Sequence, residues 1–393
     1  MKLTGSVALS LLLVSIPCSE PVTRSAAGFT FGSFHGTEEI AATFEELAEL
    51  HPRWFQAGDL GRSFQGRPIP LLTITDFEAP GPKLGLWIDG AIHGGELGSA
   101  EPGLAFVEAV RERVSAAAQP AWLSDVVIYV VPVINVDARY LSLRPPYPNV
   151  RRNLRPVDDD GDGLFDEDGP ADLNGDGRIA RMPVGGDSPF EARDADGDGR
   201  CGEDPPGGVD LNRNFPVRRA SRATDWRPEP EVAAIVEFLE QHPEIAVAFN
   251  YHTSYSVLIW PADAAESSRS SGYSDLSDLY RKHVGERVWD SGKQIGELIG
   301  TCMEWFHEQG AIAFTVEVGP VSGSPASPSP LPTDWVDHPC HGLVQMPRIE
   351  SGYSSAFETR LEQELQAATD RHAAFLLDVA EWLGSRDRVD SGR

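Results

Sequence analysis

Residues 89–98 read DGAIHGGELG and place His93 and Glu96 three apart, just past the apolar run LGLWI. An imidazole and a carboxylate on one short turn can face the same metal ion, and glycine lets backbone pass close to it. The spacing alone is unspecific, since His-x-x-Glu recurs at His35/Glu38 and His283/Glu286. His35 precedes a helix start and His283 lies in the polar stretch LYRKHVGERVW, so both are expected to be solvated surface residues. His93 and Glu96 differ by context: they follow a buried strand, where open α/β sheets place their ligands. A third ligand is available in His252, at the end of the apolar run in FNYHTSYS, although a satisfied buried histidine would look the same. Two histidines and a glutamate leave zinc's fourth position open to water. Neither HExxH nor GxSxG occurs, which argues against helical metalloproteases and serine hydrolases.

Two further stretches could complete a hydrolytic site. In GVDLNRNFP, Asn212 and Arg213 form either a surface turn or a fork for a carboxylate, which a guanidinium binds through two hydrogen bonds. In AIAFTVEVG, Glu317 interrupts an apolar strand. A lone acid there is costly without a role, and burial raises its pKa toward the range of a general base.

The elements that must position these residues alternate. RPIPLLTITD, KLGLWIDGAI, DVVIYVVPVIN, PEIAVAFNYHT and AIAFTVEVG are short branched-apolar runs that predict strands. TEEIAATFEELAELHP (with Thr37 as its cap), AEPGLAFVEAVRERV, EVAAIVEFLEQH and RLEQELQAATDRHAAFLLDVAEWL predict helices. The rhythm implies an α/β fold: a mixed, mainly parallel twisted sheet with helices on both faces. One catalytic domain is expected over residues 30–386. The Pro/Ser stretch 320–335 is expected to be a loop at the site's rim.

Together the motifs resemble the zinc carboxypeptidase family typified by carboxypeptidase A, in the family's order and over most of the chain from about Phe31. The resemblance implies one zinc per chain on His93, Glu96 and His252, with Glu317 activating the zinc-bound water. It implies that Arg151 stabilises the oxyanion, that Asn212 and Arg213 hold the substrate's terminal carboxylate, and that Asp210 orients the first zinc histidine. Met303 falls near the family's specificity position and suggests an apolar or aromatic C-terminal residue. Two departures stand out: Gly95 occupies a position where members often carry arginine, and Gly296 aligns with the family's mobile tyrosine, upstream of Trp305. The implied activity is hydrolysis at peptide or protein C-termini. An amidase or peptidoglycan peptidase on the same scaffold, and a non-catalytic calcium-dependent surface-binding module, are the alternatives.

The formal charge of −27 argues against nucleic acid or anionic membranes as partners. Residues 158–204 hold 16 acids against 4 arginines, inside an Asp/Gly-rich insert spanning 158–208. DDDGDG, DLNGDG and DADGDG repeat the first half of a calcium loop. The expected ligand sets are Asp158, Asp160 and Asp162; Asp172, Asn174 and Asp176; and Asp194, Asp196 and Asp198, with Asp166, Glu167, Glu203 or Asp204 standing in for the missing closing glutamate. Residues 1–20 read as a secretory signal peptide, so the protein is expected to be secreted or periplasmic, without membrane insertion. Lipid anchoring at Cys18 is not expected, because no small residue precedes it suitably. Of the three remaining cysteines, Cys302 and Cys340 are the favoured disulfide pair. Nothing in the sequence fixes the oligomeric state.

Overall fold

The computed structural model describes residues 28–116, 119–144, 150–175, 179, 191–205, 207–217, 227–253, 255–296, 299–319, 333–339, 342–347 and 361–386. The expected signal peptide with Cys18, Asp176, Cys340 and residues 320–332 of the expected rim loop lie outside these. Among the described residues, no helix is long and apolar enough to cross a membrane.

Eight strands build one mixed sheet: β1 (Phe55–Arg62), β2 (Pro68–Ile74), β3 (Leu84–Gly90), β4 (Val126–Val131), β5 (Ile245–Thr253), β6 (Val257–Trp260), β7 (Val288–Asp290) and β8 (Ile312–Val318). Their order is β1-β2-β4-β3-β5-β8-β6-β7. The central strands β4, β3, β5 and β8 run parallel, and β2 and β6 flank them antiparallel. β4, sequence VVIYVV, is buried along its whole length, as a strand covered on both faces must be. A separate hairpin pairs β9 (Thr333–His338) with β10 (Gly342–Pro347), so the end of the expected rim loop is strand.

The helices are α1 (Thr37–Leu50), α2 (Glu101–Ser115), α3 (Val136–Ser142), α4 (Pro230–Gln241), α5 (Ser270–His283), α6 (Ser291–Gln294), α7 (Cys302–Glu308) and α8 (Leu365–Gly384). Strand alternation assigns them to faces. Phe249 of β5 meets Phe375 of α8, and Gly103 of α2 lies against Ile88 and Val130 on that same face. On the other face, the Trp87 ring packs 5.5 Å from both Phe238 of α4 and Phe306 of α7.

Several expectations change. Thr37 begins α1 but does not cap it: Gly36 holds the cap position, and the Thr37 hydroxyl has no hydrogen-bond partner among the described residues. His35 is buried, its Nδ1 lying 2.6 Å from Glu101 Oε2, because Arg139 and Glu101 build a polar cluster under the N-terminal segment. His283 is likewise engaged, 2.7 Å from Asp378. Cys302 is a free, buried thiol, whereas Cys201 is disulfide-bonded, so the favoured Cys302–Cys340 pair is wrong.

His372 of α8 sits between the Tyr251 and Tyr280 rings, and burial, followed by nearby Arg371, pushes its pKa down to about 3. The unfolded chain therefore takes up a proton that the native state refuses between about pH 6.5 and 3. Its stabilisation is present above that window and is lost as pH falls through it. A His372→Leu variant should lose roughly 3 kcal/mol less stability than wild type between about pH 7 and about pH 4. Parallel acid dependence in the two proteins, read from denaturant midpoints, would contradict this.

Candidate active site

The parallel strands β4, β3 and β5 reverse their order at β3, and such a switch point opens a crevice beyond the carboxyl ends of strands. His93 and Glu96 lie on the turn that follows β3, while His252 is the penultimate residue of β5. Glu317 is the penultimate residue of β8 and pairs in register with His252. In-register partners on parallel strands share a face, so β8 brings Glu317 to the side of the sheet that carries His252.

The turn after β3 is tightly built. Ala91 adopts a left-handed φ of 47°, and its N–H donates to Ser99 Oγ at 2.9 Å. That hydroxyl in turn donates to the Glu96 carbonyl at 2.5 Å. Gly94 packs against α3 so closely that a Cβ there would lie 2.4 Å from Ala138 Cβ and from the Arg139 nitrogen. A strained non-glycine residue and an obligatory glycine within four positions mark a turn held for a purpose.

His93, Glu96 and His252 are buried, and one donor atom from each lies within 4.8 Å of the others. The two carboxylate oxygens of Glu96 lie between the rings, 2.7 Å from His93 Nδ1 and 2.8 Å from His252 Nδ1. The Thr253 N–H also donates to Glu96 Oε2, at 3.2 Å. On its far side, His93 Nε2 lies 3.1 Å from Asp210 Oδ1. Burial alone would raise the Glu96 carboxyl, but His93 and His252 outweigh it and hold the group well below the usual carboxylate range. Asp210 is held low in the same way, against its burial, by His93 and Arg151. For His93, burial is overcome by Glu96 and Asp210, and its pKa lies above the ordinary value. Two imidazoles and a carboxylate already ionised suit a divalent ion of borderline softness, and zinc is the common occupant of such a set.

Cationic and amide groups surround the cluster. Arg151 donates to Asp210 Oδ2 at 3.0 Å, and its guanidinium lies 3.2 Å from His93 Nδ1 and 3.6 Å from Glu96 Oε1. Asn212 is buried, with its amide nitrogen 3.2 Å from His252 Nε2 and its Oδ1 accepting from the Cys302 N–H at 2.9 Å. Arg213 is exposed and folds back onto the Asn212 carbonyl at 2.7 Å. Gly300 has a φ of 82° and packs onto Arg213, where a Cβ would come within 2.5 Å of its carbonyl oxygen. The segment that leads into Met303 is thereby bound to the Asn212–Arg213 turn. Met303 itself is 1% exposed and belongs to the core. Hydrogen bonds between partners distant in sequence added Thr253 and Cys302 to the site, and local ones added Ser99. Thr253 adjoins a ligand, but the part played by the Cys302 backbone N–H left no signal in residue type.

The sequence profile of the M14 peptidases, the zinc carboxypeptidases, matches residues 40–337. The chain belongs to the zinc carboxypeptidase family. Human carboxypeptidase A6 is 23% identical over 320 residues, which cover 75% of this chain and 62% of the relative. Rat carboxypeptidase A2 is 22% identical over 298 residues, covering 72% and 61%. The chain thus spans about three-fifths of the length of these curated relatives. Among solved structures, bovine thrombin-activatable fibrinolysis inhibitor in complex with tick carboxypeptidase inhibitor superposes with a TM-score of 0.56 at 17% identity, covering 90% of this chain and 98% of that one. Carboxypeptidase A from Helicoverpa armigera gives 0.57 at 15%, covering 92% and 76%. The expected fold class, a mixed α/β sheet with helices on both faces, is shared with these structures.

Proposed function

We propose that this zinc carboxypeptidase family member is a secreted enzyme that hydrolyses C-terminal residues from peptides and proteins. The observation that carries the reading is the buried His93–Glu96–His252 cluster flanked by Arg151 and the Asn212–Arg213 turn, a metal-ligand set beside a carboxylate fork. Zinc held by His93, Glu96 and His252 would supply Lewis acidity, lowering the pKa of a water and polarising the scissile carbonyl. Glu317, on the strand beside His252, takes the proton of the attacking water and delivers it to the leaving amine. Arg151 stabilises the oxyanion from its place against Glu96 and Asp210. Asp210 keeps the Nε2 proton of His93 on the outer side of the ring, which leaves Nδ1 for the metal.

Asn212 and Arg213 hold the substrate's terminal carboxylate, and this selects the last peptide bond for cleavage. The apolar or aromatic preference proposed for the terminal residue rests on the place of Met303 in the family's order, since its side chain is buried in the core. Gly95 and Gly296 bring no side chain to the carboxylate, so Arg213 bears more of its recognition than an additional arginine or tyrosine would leave it. Calcium in the acidic insert does not compete with the zinc, because carboxylate oxygens select calcium while imidazoles select zinc.

Arg213→Ala should raise KM for peptides with a free terminal carboxylate roughly 10- to 100-fold, the worth of a charge-assisted pair, and change kcat little. Steady-state kinetics on matched free-acid and amidated peptides test this. Equal cleavage of both by the wild type would favour an amidase or peptidoglycan peptidase instead.

A further inference from the structure

In the insert, the first and third of the ligand sets expected along the sequence gain acids from outside their own repeats. Among the described residues, Asp158 and Asp160 converge with Asp204, and Asp194 and Asp196 converge with Asp168, the donor oxygens of each group lying within 4.8 Å of one another. Asp160 and Asp162 also approach Glu167. Asp198 joins no such group of acids among the described residues, and the middle set, which includes Asp176, lies partly outside them. Two of the three groups join the arms: Asp204 follows the third repeat yet meets the first, and Asp168 follows the first repeat yet meets the third.

The closing acids are also unlike surface carboxylates. Asp204 is 0% exposed and Asp168 1% exposed. One oxygen of each is committed to the loop it closes: Asp204 Oδ1 accepts from the Asp159 and Asp160 N–H groups at 2.7 and 3.0 Å, and Asp168 Oδ1 accepts from the Ala195 N–H at 2.6 Å. The second oxygen of each is buried and has no hydrogen-bond partner among the described residues. Both oxygens of neighbouring Glu203 are in the same condition. The nearby cations stop short: Arg152 reaches Asp159 at 3.6 Å and Arg200 reaches Glu203 at 3.8 Å, but among the described residues no lysine or arginine pairs with Asp168 or Asp204. Burying carboxylate oxygens this way is expensive unless a cation meets them. Burial, then the facing carboxylates, push Asp204 and Glu203 above their ordinary pKa, which marks the strain of the cluster without an ion.

We propose that the insert binds two calcium ions, one held by Asp158, Asp160 and Asp204 and the other by Asp194, Asp196 and Asp168, so that each ion ties one arm of the insert to the other. Two oxygens bound to one Ca2+ at about 2.3–2.6 Å can be no more than roughly 5 Å apart, and both groups satisfy that limit. The hard, all-oxygen donors exclude zinc from these positions. The base of the insert is already clamped, since the Asn153 and Gly208 backbones and the Asn153 side chain bond across it. The ions therefore order the arms rather than assemble the zinc cluster, with which they share no residue.

Calorimetric titration of calcium into the zinc-loaded, calcium-stripped protein should give two ions per chain, with Kd on the order of 10⁻⁴ M or tighter, and a rise of several degrees in melting temperature. Asp204→Asn and Asp168→Asn should each remove one ion and half of the thermal shift, while Asp198→Asn removes neither. Zinc content, measured in the same samples, should stay at the wild-type value in all three and so reports that the variants fold. Wild-type protein that takes up less than one calcium at millimolar concentration overturns the proposal, even where a variant fails to fold. Asp168→Asn and Asp204→Asn variants that both still bind two ions overturn it as well.

Discussion

Glu317→Gln should leave zinc content and substrate affinity near wild type and lower kcat by about 10²–10⁴-fold, the usual worth of a positioned general base. The side chain stands on β8 in register with His252, so its carboxylate belongs to the same end of the sheet as the metal ligands. Glutamine keeps its volume and backbone conformation but cannot accept a proton from water at neutral pH. The loss should therefore appear in the chemical step and not in KM. Zinc analysis beside the kinetics separates this from collapse of the metal site. Turnover within about tenfold of wild type, with zinc bound, would remove Glu317 from the mechanism.

The metal site itself should divide into residues that bind and a residue that orients. Glu96 faces both histidine Nδ1 atoms, at 2.7 and 2.8 Å, so Glu96→Ala deletes a donor and also leaves two buried imidazoles without their carboxylate. Of the three ligands, Asp210 touches only His93, at its outer nitrogen, so Asp210→Asn should cost about 10–100-fold in zinc affinity, the range found for orienting partners. Glu96→Ala should cost more than that and abolish measurable hydrolysis. Competition against a zinc chelator ranks the two. Equal losses, or full zinc occupancy in Glu96→Ala, would show that Glu96 is not a ligand.

Much of this arrangement was legible before any coordinates, because the chemistry sits at the ends of strands with strong apolar patterns. β3, β4, β5 and β8 are nearly unbroken runs of branched and aromatic residues, so the strand ends that carry His93, His252 and Glu317 could be located. β1 could not: FQAGDLGR contributes one fully buried residue, Phe55, and an edge strand of that kind has no apolar period to read. His35 escaped for a different reason, since the groups that bury it, Glu101 and Arg139, are far along the chain and residue type does not announce them. The free thiol of Cys302 and the bonded sulfur of Cys201 show the same limit, as pairing depends on distances that spacing does not encode. In the insert, the repeated Asp/Gly pattern marked the first and third loops. Asp204 was among the acids expected to close a loop, but that it meets the first repeat, and Asp168 the third, depends on distances that spacing does not encode.

The most direct test of the account is mass spectrometry of a mixed peptide pool incubated with the purified, zinc-loaded protein. Peptides with free carboxyl termini should shorten from that end, one residue at a time, with apolar and aromatic termini leaving fastest. Amidated members of the same pool should persist, and chelation should stop the shortening until zinc is restored. Internal cleavage, indifference to amidation, or undiminished cleavage by protein shown to be free of metal would contradict it.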